Sequence, residues 1–314
     1  MKVALVGATG FVGRHIGVAL EHRGADLLRV SAPRIVATAN GASEVTAAAE
    51  AWRDSHRADF EALVETFAAS DAVVNAAGLA TPDARETPAL TGANAVAPVV
   101  LFLAANEAGS RVFVHVSSAA VQGRMPELDE SDAYDIISPY ARSKALGEVA
   151  VQRVSPAGRL SIYRATSVQG RDRNITQQLF RLCNLPLFPM AGDGGQPLPL
   201  ALAENAGAAV AHIALSSSAS GIFVHPWEGI TVRRLHTLFG SGGRRVATPR
   251  APWELLVGSL VSAGRTLPRA AAIGKRLDLL VSGQHSRGHR LASAGFAVPL
   301  GDEGYVHLAA QLRD

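Results

Sequence analysis

The sequence predicts an α/β protein with a doubly wound parallel sheet and a smaller C-terminal region. Three observations lead to this fold class. Short apolar runs alternate with amphipathic stretches up to about residue 171, a glycine-rich turn follows the first run, and the alternation loosens after 171. We therefore divide the 314 residues into a sheet-forming part at 1–171 and a smaller mixed part at 172–314, partly interleaved with the sheet.

The first apolar run and the glycines after it predict a nucleotide-binding turn. Lys2 to Val6 reads as a buried strand, Gly7, Gly10 and Gly13 follow with G-x-x-G-x-x-G spacing, and apolar residues recur at helical spacing from Phe11. Such a turn brings backbone N–H groups against a pyrophosphate, where a Cβ would obstruct the approach, and the helix N-terminus favours the anion. Strand, turn and helix together predict a Rossmann-type dinucleotide-binding unit.

The second strand, Asp26 to Val30, bears on the choice of cofactor. In this fold the end of that strand faces the adenosine ribose, where an acidic residue binds the 2′-hydroxyl and repels a 2′-phosphate. Here the strand is followed by Ser31, with Arg34 close behind. The missing acid and the nearby arginine favour NADP and leave NAD as the alternative.

The middle of the chain continues the alternation. The run Asp71 to Gly78 reads as a strand that ends in Ala76, Ala77 and Gly78, whose small side chains leave room for a cofactor to cross the sheet edge. Residues 35–58 show no obvious third strand, although 43–52 looks helical. The remaining predicted elements are helices at 59–69, 89–106, 139–153 and 210–215, and strands at 112–116, 160–164 and 222–224.

Four residues carry the predicted chemistry. Tyr140 and Lys144 are four apart on a predicted helix, so both point from one face. An ammonium beside a phenol lowers the phenol's pKa from about 10 towards neutrality, which suits a general acid or base. The same lysine can hold the nicotinamide ribose. Ser118, at the end of the preceding strand, can orient a substrate carbonyl or hydroxyl, and Asn94 could support the lysine through a water.

Together these motifs resemble the extended short-chain dehydrogenase/reductase family, in its epimerase/dehydratase branch, over about residues 1–215. The matching segments are Gly7–Gly13, Asn75–Gly78, Asn94, Ser117–Val121 with Gly123, Tyr140 with Lys144, and Arg164 with Val168–Gly170. The resemblance implies a catalytic triad of Ser118, Tyr140 and Lys144, with Asn94 accessory.

The resemblance also implies which residues contact ligands. Besides those already named, it implies cofactor contacts from Thr9, Phe11, Val12, Ala165 and Val168. It implies substrate contacts from Ser118, Ala119, Gln169 and Arg171.

Departures from the family pattern narrow the reaction. Dehydratases usually carry an Asp-Glu pair after the catalytic serine or threonine, and Ala119-Ala120 stand there, which argues against elimination of water. Nucleotide-sugar enzymes commonly place a diphosphate-binding arginine where Gly195-Gln196-Pro197 stand. Arg233, Arg234 or Arg287 are the candidates to replace it.

Composition limits the partners and the compartment. Residues 230–314 carry 12 Lys and Arg against 5 Asp and Glu, which suits an anionic substrate or a solvated surface. The basic residues neither cluster nor interleave with aromatics, so we expect no nucleic acid. The histidines lack metal-site spacings, so we expect no metal. No apolar window approaches about 18 residues, the first strand leaves no room for a signal peptide, and Cys183 is the one cysteine. We expect a cytoplasmic protein without membrane partners.

The main hypothesis is therefore an NAD(P)-dependent oxidoreductase or epimerase. Hydride would pass at a carbinol or ketone carbon of an anionic sugar nucleotide, as a 4-epimerase or 4-ketoreductase. One alternative is a reductase of a small non-nucleotide ketone, aldehyde or steroid-like alcohol. Another, from a different class, is a non-catalytic redox sensor. The family resemblance further implies a homodimer formed through the helices at 89–106 and 139–153.

Overall fold

The fold is a three-layer α/β sandwich with an added C-terminal part. This computed structural model describes residues 1–80, 85–156, 158–216, 220–263, 274 and 277–314. The strands are β1 (Lys2–Val6), β2 (Asp26–Val30), β3 (Ala72–Asn75), β4 (Val112–Ser118), β5 (Glu127–Leu128), β6 (Leu160–Ala165), β7 (Ser167–Gln169), β8 (Leu187–Ala191), β9 (Leu200–Leu202), β10 (Gly221–Val224), β11 (Arg244–Thr248) and β12 (His285–Ser286).

The helices alternate with the strands up to β6. They are α1 (Phe11–His22), α2 (Ala42–Ser55), α3 (Arg57–Ala68), α4 (Pro88–Thr91), a π-helical turn (Gly92–Val96), α5 (Ala97–Glu107), a 3₁₀ turn (Ala119–Gln122), α6 (Pro139–Val154), α7 (Asn174–Cys183), α8 (Ala203–Leu215), α9 (Val232–Phe239), α10 (Arg250–Ala263), α11 (His289–Ser293) and α12 (Asp302–Gln311). Residues 277–282 are also helical.

Six parallel strands form the central sheet in the order β2, β1, β3, β4, β6, β10. From β1 the chain moves outward to β2, then crosses back to β3 and continues in the opposite direction. A crevice therefore opens between the carboxyl ends of β1 and β3, where ligands bind in doubly wound sheets. The predicted fold class is confirmed, and the turn at Gly7 lies at this crevice.

Helices cover both faces of the sheet. One face packs on α1 and α8, and the other on α2, α3, α5 and α6. The contact between α1 and α8 is close enough to require a small residue, because a Cβ added at Gly207 would lie 2.5 Å from the carbonyl oxygen of His15. The inner strands β1, β3, β4 and β6 are buried on both faces, which explains their mostly apolar runs.

The C-terminal part shares the sheet and adds its own core. Strand β10 pairs with β6, and α8 packs on the sheet. The Tyr163 hydroxyl bonds His225 Nδ1 at 2.7 Å, and His225 Nε2 bonds the Glu228 carboxylate at 2.8 Å. Glu228 also accepts from Asn205 and the Tyr305 hydroxyl. This buried network fastens the C-terminal part to β6.

One stretch has the length and hydropathy of a membrane span, contrary to the expectation from the sequence. Among the described residues it is Pro88–Glu107, and 78% of its most apolar window is buried inside the protein. The helices α2 and α3 pack against α5, and α2 also packs against α6. This stretch is therefore a core helix of the fold, whose apolar residues are covered by the same chain.

Candidate functional site

The glycine turn after β1 is shaped by backbone contacts that exclude side chains. Gly7 has φ +82°, and a Cβ there would lie 2.7 Å from the backbone nitrogen of Ala77. A Cβ on Gly13 would lie 2.1 Å from the carbonyl oxygen of Gly7. The turn therefore folds back tightly against the residues that follow β3, so that β1 and β3 present one continuous edge to the crevice.

The first turn of α1 fits a phosphate-bearing cofactor. Its N-cap is Gly10, no side chain caps it, and no acidic residue lies in the first turn. The leading N–H groups of a helix have no intrahelical partner and attract anions. Because no carboxylate of the helix's own first turn competes for them, Thr9, Phe11 and Val12 are placed to offer donors to a pyrophosphate, as the resemblance implies.

Lys144 reaches the crevice from α6. Gly78 has φ +155°, and a Cβ added there would lie 3.1 Å from Lys144 Nζ and 2.7 Å from Asn94 Oδ1. The ammonium donates to the carbonyl of Val116 at 3.1 Å, and the side chain is 5% exposed. Burial lowers the pKa of Lys144 to about 8, against the opposing influence of the Glu148 carboxylate.

Tyr140 and Ser118 are neighbours at the end of β4. Burial raises the pKa of Tyr140, while hydrogen bonding from Ser118 and the charge of Arg173 lower it. The net shift of this pKa is upward and Lys144 is not among the groups that cause it, so the lowering towards neutrality that we expected from the lysine is not found. The Ser118 hydroxyl accepts from the N–H of Ala120 at 3.2 Å, which leaves its proton free to donate.

Asn94 forms direct hydrogen bonds to two elements of the site. Its amide oxygen accepts from the N–H of Leu79 at 2.8 Å, and its nitrogen donates to the Leu79 carbonyl and to Ser143 Oγ, both at 3.0 Å. The π-helical turn at Gly92–Val96 aims this side chain inward. Asn94 thus joins the loop after β3 to α6 one residue before Lys144, and it is fully buried.

A buried ion pair beneath Lys144 escaped the sequence analysis. Arg164 on β6 and Glu148 on α6 pair at 2.8 Å with no exposure of either side chain. The Tyr134 hydroxyl donates to Glu148, and the Arg164 guanidinium lies over the Tyr134 ring and donates to the carbonyl of Ser131. The available signal was a single arginine in the otherwise uncharged strand β6, together with Glu148 four residues after Lys144 on one helix.

Three polar atoms at the crevice have no hydrogen-bond partner. They are His115 Nε2, Ser117 Oγ and Thr166 Oγ1, all buried. His115 sits in mid-strand between Asn75, whose amide approaches its Nδ1 at 3.3 Å, and β6. Burial, and secondarily the charge of Lys144, hold the pKa of His115 well below its usual range. It is a neutral imidazole near the lysine, marked in the sequence only by a histidine within the run V-F-V-H-V.

The other residues implied to contact the cofactor lie at or just beyond the ends of strands. Ser31 and Arg34 are exposed just beyond β2, and Ala76 and Ala77 line the edge after β3. Ala165 is the register partner of Ser118 across β4 and β6, and Val168 follows on β7. These positions bring both halves of the implied cofactor site to the carboxyl edge of the sheet.

The residues implied to contact the substrate differ in their burial and in their hydrogen-bond partners. Ala119 follows Ser118 directly and is buried. Gln169 is also fully buried, and its amide bonds Ser167 and accepts from Thr176 Oγ1 at 3.0 Å, so the structure gives it internal partners. Arg171 is exposed and lines a polar pocket of about 250 Å³ together with Arg181.

The three arginines considered for a diphosphate are already paired. Arg233 pairs with Asp193 at 2.5 Å, and Arg287 pairs with Glu127 at 2.6 Å. Arg234 forms an ion pair with Asp302. Each lies on the surface with its charge balanced by a carboxylate, which makes none of them a ready substitute for the missing arginine.

The comparisons agree with this geometry. The model of the NAD dependent epimerase/dehydratase family matches residues 3–216. No curated protein matches the chain in sequence. Among solved structures, UDP-N-acetylglucosamine 4-epimerase from Bacillus cereus has a TM-score of 0.67 at 14% identity, over 100% of both chains.

Two further solved structures show the same fold with ligands. MoeE5 in complex with UDP-glucuronic acid and NAD has a TM-score of 0.65 at 19% identity, over 100% of this chain and 99% of the other. Human epimerase family protein SDR39U1 with NADPH has a TM-score of 0.63 at 18% identity, over 99% of both chains. The likeness in fold continues beyond residue 216, through the C-terminal part. On the family match, the chain belongs to the NAD dependent epimerase/dehydratase family.

Proposed function

We propose that this protein is an NAD(P)-dependent oxidoreductase or epimerase that acts at a carbinol or ketone carbon. One observation supports the proposal: Tyr140 interacts with Ser118 at the end of β4, and Lys144, one helical turn further along α6, lies beside Gly78 at the crevice that the glycine turn borders. A redox sensor would not require these three groups together. The residues of the turn and of the edge after β3 would hold the cofactor.

The proposed roles follow from the surroundings of each group. A nicotinamide bound in the crevice supplies the hydride chemistry. Tyr140 exchanges the proton of the substrate oxygen as general acid or base, and Ser118 donates to that oxygen to orient it. Lys144, held beside Gly78, is placed to bind ribose hydroxyls and to favour the tyrosinate when a ligand orders the site.

A sugar nucleotide is the first substrate class that we propose. Family membership supports it, as do neighbours that include a UDP-N-acetylglucosamine 4-epimerase and a structure with UDP-glucuronic acid and NAD. The basic C-terminal part suits an anionic substrate. Whether the reaction is 4-epimerisation or 4-ketoreduction depends on whether the nicotinamide is regenerated within one turnover.

The general-acid role is tested with Tyr140→Phe. We expect at least a hundredfold loss of turnover, since general acid–base catalysis contributes roughly 10²–10⁴-fold. The dissociation constant for NAD(P)H should change by less than about threefold, because the ring stays. Near-normal turnover with nucleotide bound would exclude Tyr140 as the acid. Redox-dependent binding of a protein partner without any turnover would instead favour the sensor.

A leucine-lined cavity supports the second candidate, a reductase of a small apolar ketone or aldehyde. The cavity has a volume of about 190 Å³, and eight of its ten lining residues are leucine or isoleucine. Ser167 also lines it, two residues beyond Ala165, which pairs in register with Ser118. An engineered apolar cavity of roughly 150 Å³ binds benzene, so this one suits a single ring or a short chain.

Competition separates the two substrate classes. If the substrate is a sugar nucleotide, free UDP or TDP inhibits turnover, and Leu179→Gln in the cavity changes KM by less than about threefold. If the substrate is apolar, the nucleotides have no effect and Leu179→Gln raises KM at least about tenfold, because a polar group then lies in an apolar cavity. Leu255→Gln, at an exposed leucine on α10, is the matched control.

We also propose NADP as the preferred cofactor, because Ser31 and Arg34 flank the end of β2 without an acid. Arg34→Glu should weaken NADPH binding at least about tenfold and leave NADH binding unchanged or stronger. Equal effects on the two cofactors would remove the basis for the preference. Arg29→Glu, on the same strand, controls for the change in net charge.

A further inference from the structure

Arg173, in the turn before α7, points back at the glycine turn. Its guanidinium carbon lies 5.1 Å from the centroid of the Phe11 ring, in cation–π contact. Phe11 is the first residue of α1, directly after the N-cap Gly10. The positive charge of Arg173 is therefore held at the end of α1 that attracts anions.

The stacked ring is fixed from a second side. A Cβ added at Gly170 would come within 2.7 Å of the Phe11 ring, so the turn after β7 packs directly against it. The N–H of Arg173 donates to the Gly170 carbonyl at 3.1 Å, which closes the same turn. Phe11, Gly170 and Arg173 thus form one packed unit, and the guanidinium is presented from a rigid base.

The same charge also acts on the catalytic tyrosine. Arg173 is one of the two influences that lower the pKa of Tyr140. It therefore faces both the anion-attracting end of α1 and the group that we propose exchanges the substrate proton. A residue placed between these two points lies along the path of a ligand that spans them.

Some arginines of this region are paired with a carboxylate, and others, such as Arg171, form no ion pair in the part of the chain that the structure describes. Arg14 pairs with Asp172 at 3.3 Å, and Arg233 pairs with Asp193. Within the described ranges, Arg173 forms no such ion pair, although it is half-buried. A cation–π contact stabilises a guanidinium less than a pair of charge-assisted hydrogen bonds to an anion does.

We propose that Arg173 binds a phosphate group of the ligand seated at the glycine turn. Two sources would supply the same chemistry, the pyrophosphate of the dinucleotide and the diphosphate of a sugar nucleotide. The second would fill the role of the arginine missing at Gly195-Gln196-Pro197. This inference rests on the proposed function, because that function supplies the phosphate-bearing ligands.

The test measures binding rather than turnover. Dissociation constants for NADH, NADPH and UDP are determined by calorimetry for the wild type, Arg173→Gln and Arg173→Lys. Arg23→Gln, at an exposed arginine that ends α1 on the side away from the glycine turn, makes the same change in charge and serves as the control. We expect Arg173→Gln to raise the dissociation constant of the ligand whose phosphate it contacts at least tenfold. Arg173→Lys should restore part of that affinity, and the control should keep every dissociation constant within twofold of wild type.

The three ligands distinguish the sources. An equal loss for NADH and NADPH identifies the shared pyrophosphate, and a loss for UDP alone identifies the substrate diphosphate. Binding of all three within twofold of wild type in a folded Arg173→Gln protein overturns the proposal, as does a wild type that binds none of them. If the wild type binds them but no substrate is turned over, the proposed function fails while the result for Arg173 stands.

Discussion

The Arg164 guanidinium and the Glu148 carboxylate form a fully buried ion pair, with a nitrogen–oxygen distance of 2.8 Å. The pair joins β6 to α6, and Glu148 also raises the pKa of Lys144 against the effect of burial. The strand that carries Ala165 and the helix that carries Tyr140 and Lys144 are therefore held together by one charged contact beneath the site.

Breaking this pair should cost considerable stability. Arg164→Met leaves the Glu148 carboxylate buried without its partner, and we expect a loss of about 3–5 kcal/mol in the free energy of unfolding. The double variant Arg164→Met/Glu148→Leu should recover most of that loss, because no unpaired charge remains. Urea unfolding measures both variants. A cost below about 1 kcal/mol for Arg164→Met would show that the pair is not stabilising the fold.

Replacing Lys144 should raise stability rather than lower it. Its pKa falls from 10.5 to about 8 on folding, a penalty of roughly 3 kcal/mol for keeping it charged at pH 7. Lys144→Met removes the penalty and loses a bond to Val116 that is worth about 1 kcal/mol. We expect a net gain of about 2 kcal/mol at pH 7 that shrinks as the pH rises from 8 towards 10.5, together with loss of turnover.

The measurement for Lys144 is urea unfolding of wild type and variant across this pH range. The sign follows from the depressed pKa. Below pH 8 the lysine is charged in the folded and the unfolded state, and the folded state carries the full burial penalty. Between pH 8 and 10.5 the folded protein loses the proton that the unfolded chain keeps, so the wild type gains stability as the pH rises. A variant that is less stable than wild type by the same amount at every pH would contradict the burial penalty.

His115 should make the protein sensitive to acid. Its folded pKa lies well below 6.5, so below about pH 6.5 the unfolded chain binds a proton that the folded chain does not. This group should therefore lower the free energy of unfolding progressively as the pH falls from 7 to 5. His115→Gln should lose less stability over that interval, measured by urea unfolding at both values. Parallel losses in wild type and variant would assign the acid sensitivity to other groups.

The predicted dimer interface is covered in the structure. Residues 97–105 of α5 are buried apart from half-buried Leu103, and α2 packs on both α5 and α6. We therefore expect light scattering to give the monomer mass of 32.7 kDa. A dimer with hydrogen-exchange protection along α2 would place an interface on that helix, and protection confined to α5 and α6 would contradict the packing.

The sequence predicted most of the sheet, because most of its strands are short, mainly apolar runs that end at a clear break. Lys2–Val6 and Asp26–Val30 have the predicted bounds, and the strand after 71 ends in the predicted small residues. The sequence also singled out Ser118, Tyr140 and Lys144 as candidates, because strand ends and helical spacing determine where such side chains point.

What the sequence could not provide depends on contacts between distant residues. The helix predicted at 43–52 is part of α2, but its role in covering α5 and α6 had no signal in the sequence. The Glu148–Arg164 pair depends on two elements meeting across 16 positions of the chain. Gln169 looked like a pocket residue, and it is turned inward by Ser167 and Thr176. Local patterns carry no signal for such pairings.

The central claim is tested most directly by measuring which nicotinamide nucleotide the purified protein retains or binds. Nucleotide released by denaturation is resolved by chromatography, and emptied protein is titrated with NADPH and NADH, with Gly13→Ala as the variant whose turn is blocked. We expect one nucleotide per chain in the wild type and none in the variant. Retained NAD(H) would indicate an epimerase, whereas an empty site that prefers NADPH would indicate a reductase. A wild type that neither retains nor binds either nucleotide would contradict the proposed oxidoreductase.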